Sequence, residues 1–194
     1  MAAGTITDFV THMAARAPGT IAAIDHGRAV TYGELHLRAG RMAAWLARQG
    51  LHPGDMAGFT MRATLPHLVV TLGLMRLGCD QIGLASQDTI AMRADLAART
   101  RAVAVIGETP EDAIAGIGLI IPDHEAIGAD AGLGAPPPPA RGPEGTTVLL
   151  TSSGTTGRPK LIPLSERLLR VRAALSPNIE ERRLIPVAIE FPIA

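Results

Sequence analysis

Apolar residues recur at helical spacing over Ile6, Phe9, Val10, Met13, Ala14 and Ala17, and Pro18-Gly19 ends the run. The segments 21–25 and 28–32 flank His26-Gly27, the pattern of a hairpin around a tight turn. Thr31 with Glu34 three residues on forms a capping box. It opens a helix through Leu35, Ala39, Met42, Ala43, Leu46 and Ala47 that ends at Gly50. His52-Pro53-Gly54-Asp55 reads as a turn and 56–61 as a short buried strand. A helix is expected over 63–77 up to Gly78, then a strand over 79–84.

The alternation continues with a helix over 88–100, a strand over 102–106, a short helix over 110–115 and a strand over 118–121. Strands separated by helical runs argue for an α/β fold with a doubly wound, mostly parallel sheet and flanking helices. Residues 132–143 contain four consecutive prolines and read as an extended connector. The expected organisation is an N-terminal α/β subdomain portion over 1–131, this connector, and an incomplete nucleotide-binding subdomain over 144–194. In the last part, 146–150 is an apolar strand, 161–163 its returning strand, 165–175 a helix capped by Ser165, and 184–189 a final strand. No helix follows that strand, so the chain reads as interrupted at Ala194.

Composition narrows the function classes. Apolar residues make up 47% of the 194 residues, enough for a buried core. Eighteen basic and 18 acidic side chains cancel, and aromatics are 3%. Neither a nucleic-acid partner nor an anionic membrane surface is expected from such a balance. Cys79 is the single cysteine, which excludes an intramolecular disulfide and fits a reducing cytoplasm. The N-terminus has no signal-peptide pattern. The apolar stretch 65–75 contains Pro66 and His67 and is far short of the ~20 residues that span a bilayer. A cytoplasmic protein is expected.

One segment carries chemistry. Thr151-Ser152-Ser153-Gly154-Thr155-Thr156-Gly157-Arg158-Pro159-Lys160 follows the apolar strand, with five hydroxyls and two glycines in its first seven positions. Such donors are met by water or a ligand rather than by a core. Glycines let consecutive N–H groups converge on one anion, and a lysine at the exit adds a compact positive charge. This is the chemistry of a polyphosphate cradle. The spacing is not that of a Walker A loop, because two residues separate Gly154 and Gly157 and Arg158-Pro159 precede Lys160. Of the 18 basic residues 17 are arginine, and the single lysine is Lys160.

The segment resembles the Thr-Ser-Gly-Thr-Thr-Gly-x-Pro-Lys signature of the adenylate-forming superfamily: acyl-CoA synthetases, peptide-synthetase adenylation domains and luciferases. Upstream, Val30-Thr31-Tyr32-Gly33-Glu34-Leu35, Gly50-Leu51-His52-Pro53-Gly54-Asp55 and the helix over 68–78 are similar to family segments in the same order, so the resemblance spans roughly 9–175. It implies an AMP-forming acid–thiol ligase, which activates a carboxylate with ATP to an acyl-adenylate and passes it to coenzyme A or a carrier-protein thiol. It also implies ATP with Mg²⁺ as cofactors. Thr151, Ser152, Ser153, Gly154, Thr155, Thr156, Gly157 and Lys160 would contact the phosphates, Lys160 in the catalytic role; no metal-ligating side chain is assigned. The family's acyl pocket, adenine strand, ribose-binding aspartate and C-terminal lysine lie beyond this loop, so the 194 residues alone are expected to be catalytically incomplete. Two departures stand out: Leu161 follows the lysine where the family tends to glycine, and Ile189 stands where a histidine is usual.

Other candidates are bland. His12, His26, His36, His52, His67 and His124 lack metal-ligand spacing. The run Glu180-Glu181-Arg182-Arg183 reads as a solvated charge cluster. Cys79 reads as a small buried hydrophobe, and Ser86 has no nucleophile-elbow context. Two alternatives to a ligase portion stay open: a short non-catalytic homologue that binds nucleotide, phosphate or a partner chain, and a structural domain with a relic loop. A partial domain exposes apolar surface and sheet edges, so association with the remainder of an enzyme, or as a homo-oligomer, is expected.

Overall fold

A computed structural model describes residues 4–62, 64–133, 142–152 and 159–174. Most of the connector, the centre of the glycine-rich segment (153–158) and residues 175–194 lie outside the described residues. The expected strand over 184–189 and the charge run at 180–183 therefore lie outside them as well.

Helix α1 (Ile6–Arg16) starts at a capping box in which Thr5 accepts from the Asp8 N–H and Asp8 accepts from the Thr5 N–H. Strands β1 (Ile21–Asp25) and β2 (Arg28–Thr31) form an antiparallel hairpin. Its two turn residues, His26 and Gly27, both have positive φ, 46° and 80°, as a type I′ turn requires. The expected Thr31/Glu34 box is present and opens α2 (Tyr32–Arg48). Then follow β3 (Met56–Phe59), α3 (Thr64–Leu77), β4 (Asp80–Gly83), α4 (Ile90–Thr100), β5 (Ala104–Ile106) and β6 (Gly118–Ile120). Pro66 sits in the first turn of α3, where its missing N–H has no helical partner to lose.

Among the described residues a six-stranded sheet runs in the order β6-β5-β3-β4, continued by β7 (Thr147–Ser152) and β8 (Lys160–Ser165). All pairings are parallel except β7 with β8. Alternate strand residues feed two cores, as the period of two demands. On one face Ala57, Phe59, Ala104, Ile106 and Val148 pack with α2, α3 and Val10 of α1. On the other Ile82, Leu84 and Val105 pack with Leu96 and Ala97 of α4. Helices thus flank both faces of a mostly parallel sheet, as the pattern predicts. Helix α3 lies between sheet and α2, so it is apolar nearly all round: Leu65, Val69, Val70, Leu72, Leu74, Met75 and Leu77 are buried.

Three local expectations are corrected. The helix expected over 110–115 is a single 3₁₀ turn, Pro110–Asp112, because Asp112 turns back to accept from the Glu108 and Thr109 N–H groups. A short helix absent from the sequence reading, α5 (His124–Ala129), is capped by Asp123, which accepts from Glu125 and Ala126 N–H. Finally, β7 extends two residues past Leu150, because β8 pairs with it as far as Ser152. Helix α6 (Glu166–Ala174) follows β8 directly, and Ser165 Oγ accepts from the Leu168 N–H as an N-cap does. No described helix is long and apolar enough to cross a membrane.

Candidate phosphate-loop site

Strand β7 carries the chain outward through Val148 and Leu149, one side chain to each core. Its last two residues, Thr151 and Ser152, are half-buried. The chain returns at Lys160, which pairs with Ser152 as Thr151 pairs with Leu161. Of the predicted site residues, the structure therefore brings Thr151, Ser152 and Lys160 together at one end of a two-stranded ladder. Ser153, Gly154, Thr155, Thr156 and Gly157 lie outside the described residues. Lys160 is exposed, so its charge is open to an incoming anion. Just before it, the carbonyl oxygen of Pro159 accepts from Arg99 Nη2 at 3.0 Å, while Arg99 also pairs with Asp95. The end of α4 thus holds the exit of the glycine-rich segment.

The opposite end of the hairpin is held by acidic side chains. Asp80, at the start of β4, accepts from the Thr147 N–H at 2.8 Å. Glu144 accepts from Ser165 Oγ at 2.7 Å and from Arg167 at 2.6 Å. The same two hydrogen bonds, from Ser165 first and Arg167 next, hold the Glu144 carboxyl below its ordinary pKa. Glu166, 1% exposed, accepts from both the N–H and Oγ1 of Thr146.

A second charged group lies at the carboxyl ends of β3 and β5. Asp112 is fully buried and accepts from Arg62 at 3.0 and 3.2 Å and from Arg93 at 3.3 Å. Arg62 also pairs with Glu108 at 3.6 Å. Burial alone would raise the Asp112 carboxyl, but hydrogen bonds from Arg62 and from the Glu108 and Thr109 N–H groups outweigh it and hold the pKa down to about 2. Sequence reading missed this group, since its members are 19 and 50 residues apart and share no local pattern.

Buried His67 has its pKa pushed down by burial, which Glu108 partly offsets. Cys79 is buried, and its Sγ–H donates to the His52 carbonyl at 3.3 Å, the packing expected of it. Among the described residues no group of three His, Cys, Asp or Glu side chains could hold a metal ion. In the register of the ladder Ser152 and Lys160 are directly opposite and share one face of the sheet, while Thr151 and Leu161 take the other.

The sequence model of the AMP-binding enzyme family matches residues 10–184. The chain belongs to that family. Among its curated relatives is 4-chlorobenzoate–CoA ligase from an Arthrobacter species, 29% identical over 185 residues. That match takes in 87% of this chain and 34% of the ligase. Bassianolide nonribosomal cyclodepsipeptide synthetase from Beauveria bassiana is 28% identical over 189 residues, 92% of this chain and 6% of the synthetase. A further relative, 3-oxocholest-4-en-26-oate–CoA ligase of Rhodococcus rhodochrous, is 35% identical over 72 residues, 37% of this chain and 13% of the ligase. Among solved structures, VinN in complex with L-aspartate superposes with a TM-score of 0.78 at 23% identity, over 88% of this chain and 50% of VinN. The Klebsiella oxytoca NpsA N-terminal subdomain in complex with 3-hydroxybenzoyl-AMSN gives 0.73 at 21%, over 84% and 41%. The chain thus spans half or less of each of these proteins. These curated relatives are two CoA ligases and a nonribosomal cyclodepsipeptide synthetase.

Proposed function

We propose that the segment from Thr151 to Lys160 holds the β- and γ-phosphates of ATP in an AMP-forming acid–thiol ligase of the acyl- or aryl-CoA synthetase kind. The observation that carries this reading is the β7–β8 ladder. It sets Ser152 opposite Lys160, the only lysine of these 194 residues, at the two ends of a hydroxyl- and glycine-rich segment. In this reading Lys160 neutralises charge on the phosphates and helps pyrophosphate leave, while the hydroxyls and N–H groups orient them. Mg²⁺ would come with the nucleotide, held by phosphate oxygens beside the Thr and Ser hydroxyls. ATP supplies the activation by transferring its adenylyl group to a carboxylate. The carboxylic acid and the thiol, coenzyme A or a carrier-protein pantetheine, belong to the whole enzyme. These 194 residues by themselves bind polyphosphate but do not sustain ATP–pyrophosphate exchange.

Titration calorimetry with Mg·ATP and with pyrophosphate tests the reading on the chain, on Lys160→Ala and on Gly157→Val. Saturable binding that is lost in both variants is the expected result. Lys160 is exposed at a strand end, so its truncation leaves the fold intact. A folded chain that binds neither ligand, or a Lys160→Ala variant that binds as well as the parent, overturns it.

A further inference from the structure

Lys160 and Ser152 stand opposite one another only because β7 and β8 pair in one register, and that register has a visible clamp. The ladder runs from Ser152↔Lys160 to Thr147↔Ser165, and the next pair beyond it, in the same register, is Thr146 with Glu166. There Glu166 Oε1 accepts from the Thr146 N–H and Oγ1, both at 2.8 Å, and the Glu166 N–H donates to the Thr146 carbonyl at 3.0 Å. The second carboxyl oxygen accepts from Thr7 Oγ1 at 2.8 Å and from the Thr7 N–H at 3.3 Å. Thr7 lies in the first turn of α1, 159 residues away in sequence. Four donors therefore converge on one buried carboxyl, and three separate elements meet there.

The surroundings are shaped to this group. Gly145 has φ +72°, and a Cβ on it would come within 2.7 Å of Glu166 Oε1 and 2.8 Å of Thr5 Cγ2. Nothing but hydrogen fits between the turn and the carboxyl. Arg170, one turn further along α6, lies 5.9 Å from the Phe9 ring of α1 and holds the same pair of helices together.

We propose that Glu166 is a positioning residue for Lys160: by locking Thr146 opposite itself and both to α1, it fixes the β7–β8 register and thereby the place of that lysine. The claim that this place matters for phosphate rests on the function proposed above. A slip of one residue would turn Lys160 to the other face of the sheet and exchange its neighbours. The clamp acts from about 20 Å away, six residues along a ladder at roughly 3.3 Å each. Hydrogen bonds to a charged acceptor are about twice as strong as neutral ones, so a carboxylate resists that slip better than its amide isostere.

Because Lys160 is the only lysine, lysine-selective ¹³C labelling gives one side-chain ε-methylene resonance that reports its surroundings directly. The experiment compares the 194-residue chain with Glu166→Gln and Gly145→Ala. The first keeps the shape of the clamp and removes its charge. The second keeps the charge and pushes the carboxyl away, so the two do not share a folding defect. The expected result is a shifted lysine resonance, loss of the Leu150–Ile162 cross-strand nuclear Overhauser effects, and pyrophosphate binding weakened about tenfold or more in both variants, with methyl resonances of the α2–α3 core in place. An unmoved lysine resonance with intact cross-strand effects in both variants overturns the proposal. If the parent chain binds no pyrophosphate, the phosphate reading falls, while the lysine resonance and the cross-strand effects still decide whether Glu166 sets the register.

Discussion

Asp112→Asn removes one charge from the centre of the buried ion group and leaves its outline unchanged. The native carboxyl has a pKa of about 2 against an ordinary 3.8. At roughly 1.4 kcal/mol per pKa unit, the ionised group contributes about 2 kcal/mol of stability at neutral pH. Because the folded-state pKa is the lower one, that contribution is complete above about pH 4 and is lost as pH falls through about 2. The substitution does further harm. Arg93 is 6% exposed, so it is left as an uncompensated buried charge, a situation that costs about 3–5 kcal/mol in broken buried pairs. Arg62 is 44% exposed on its side chain, can hydrate itself and adds little. Together a loss of about 3 kcal/mol or more is expected at pH 7, a drop of roughly 6–12 °C in melting temperature for a chain of this size. Urea unfolding followed by circular dichroism at several pH values between 7 and 2.5 measures it. The gap between parent and variant should hold from pH 7 to about 4 and narrow below that. A gap under about 0.5 kcal/mol at pH 7, or one that does not narrow in acid, refutes the reasoning.

Two further perturbations probe the α2–α3 core and its pH response. A Cβ on Gly73 would stand 2.6 Å from Met42 Cγ and 3.0 Å from its Cβ, so Gly73→Ala should cost about 1–3 kcal/mol despite alanine's better helix propensity; an unchanged or raised melting temperature would show that the two helices have room to part. The buried His67 ring binds its proton less readily in the fold than in the unfolded chain, because burial lowers its pKa from the ordinary 6.5. The unfolded chain takes up that proton first as pH falls, so stability should decline below about pH 6.5. His67→Leu should flatten the urea midpoint between pH 7 and 5, and an equally steep decline in the variant would assign the effect elsewhere.

Sequence legibility followed the range of the interactions. The Thr31/Glu34 box, the His26-Gly27 turn and the alternation of strand and helix are local and periodic, and each stands where the pattern places it. The helix expected from residue 88 begins at Ile90, because Thr89 rather than Asp88 makes the cap, accepting from the Met92 N–H. Helix α5 has six residues with a single buried side chain, Ile127, and so no period to read. Its place is set by contacts instead, among them Arg41 donating to the Gly128 carbonyl. The extra length of β7 comes from its partner strand, and a strand end decided by its neighbour is invisible along one chain. The same holds for Glu166, legible as an acidic first residue of a helix but not as the partner of Thr7. At the candidate site, residue types pointed to phosphate chemistry. The pairing that sets Ser152 against Lys160 came only with the fold.

The two charged groups answer different problems, and the sheet topology explains why they are apart. From β3 the chain crosses to β4 on one side, then places β5 on the other. The carboxyl ends of β3 and β5 therefore form the switch point at which parallel α/β sheets usually seat a ligand. Here Arg62, Glu108 and Asp112 close that crevice from within, with Arg93 of α4 reaching in from the second face. Lys160 belongs instead to the hairpin beyond β4, and β7 is two strands or about 10 Å from β3 in the sheet. In the ion group the buried Asp112 carboxylate already engages both guanidinium groups, whereas an exposed lysine opposite a hydroxyl has little fold to support. The two functions should then separate under mutation. Asp112→Asn should lower stability without changing phosphate affinity in the folded fraction, and Lys160→Ala should do the reverse. A coupled loss in both would mean that the switch point and the hairpin form one site after all.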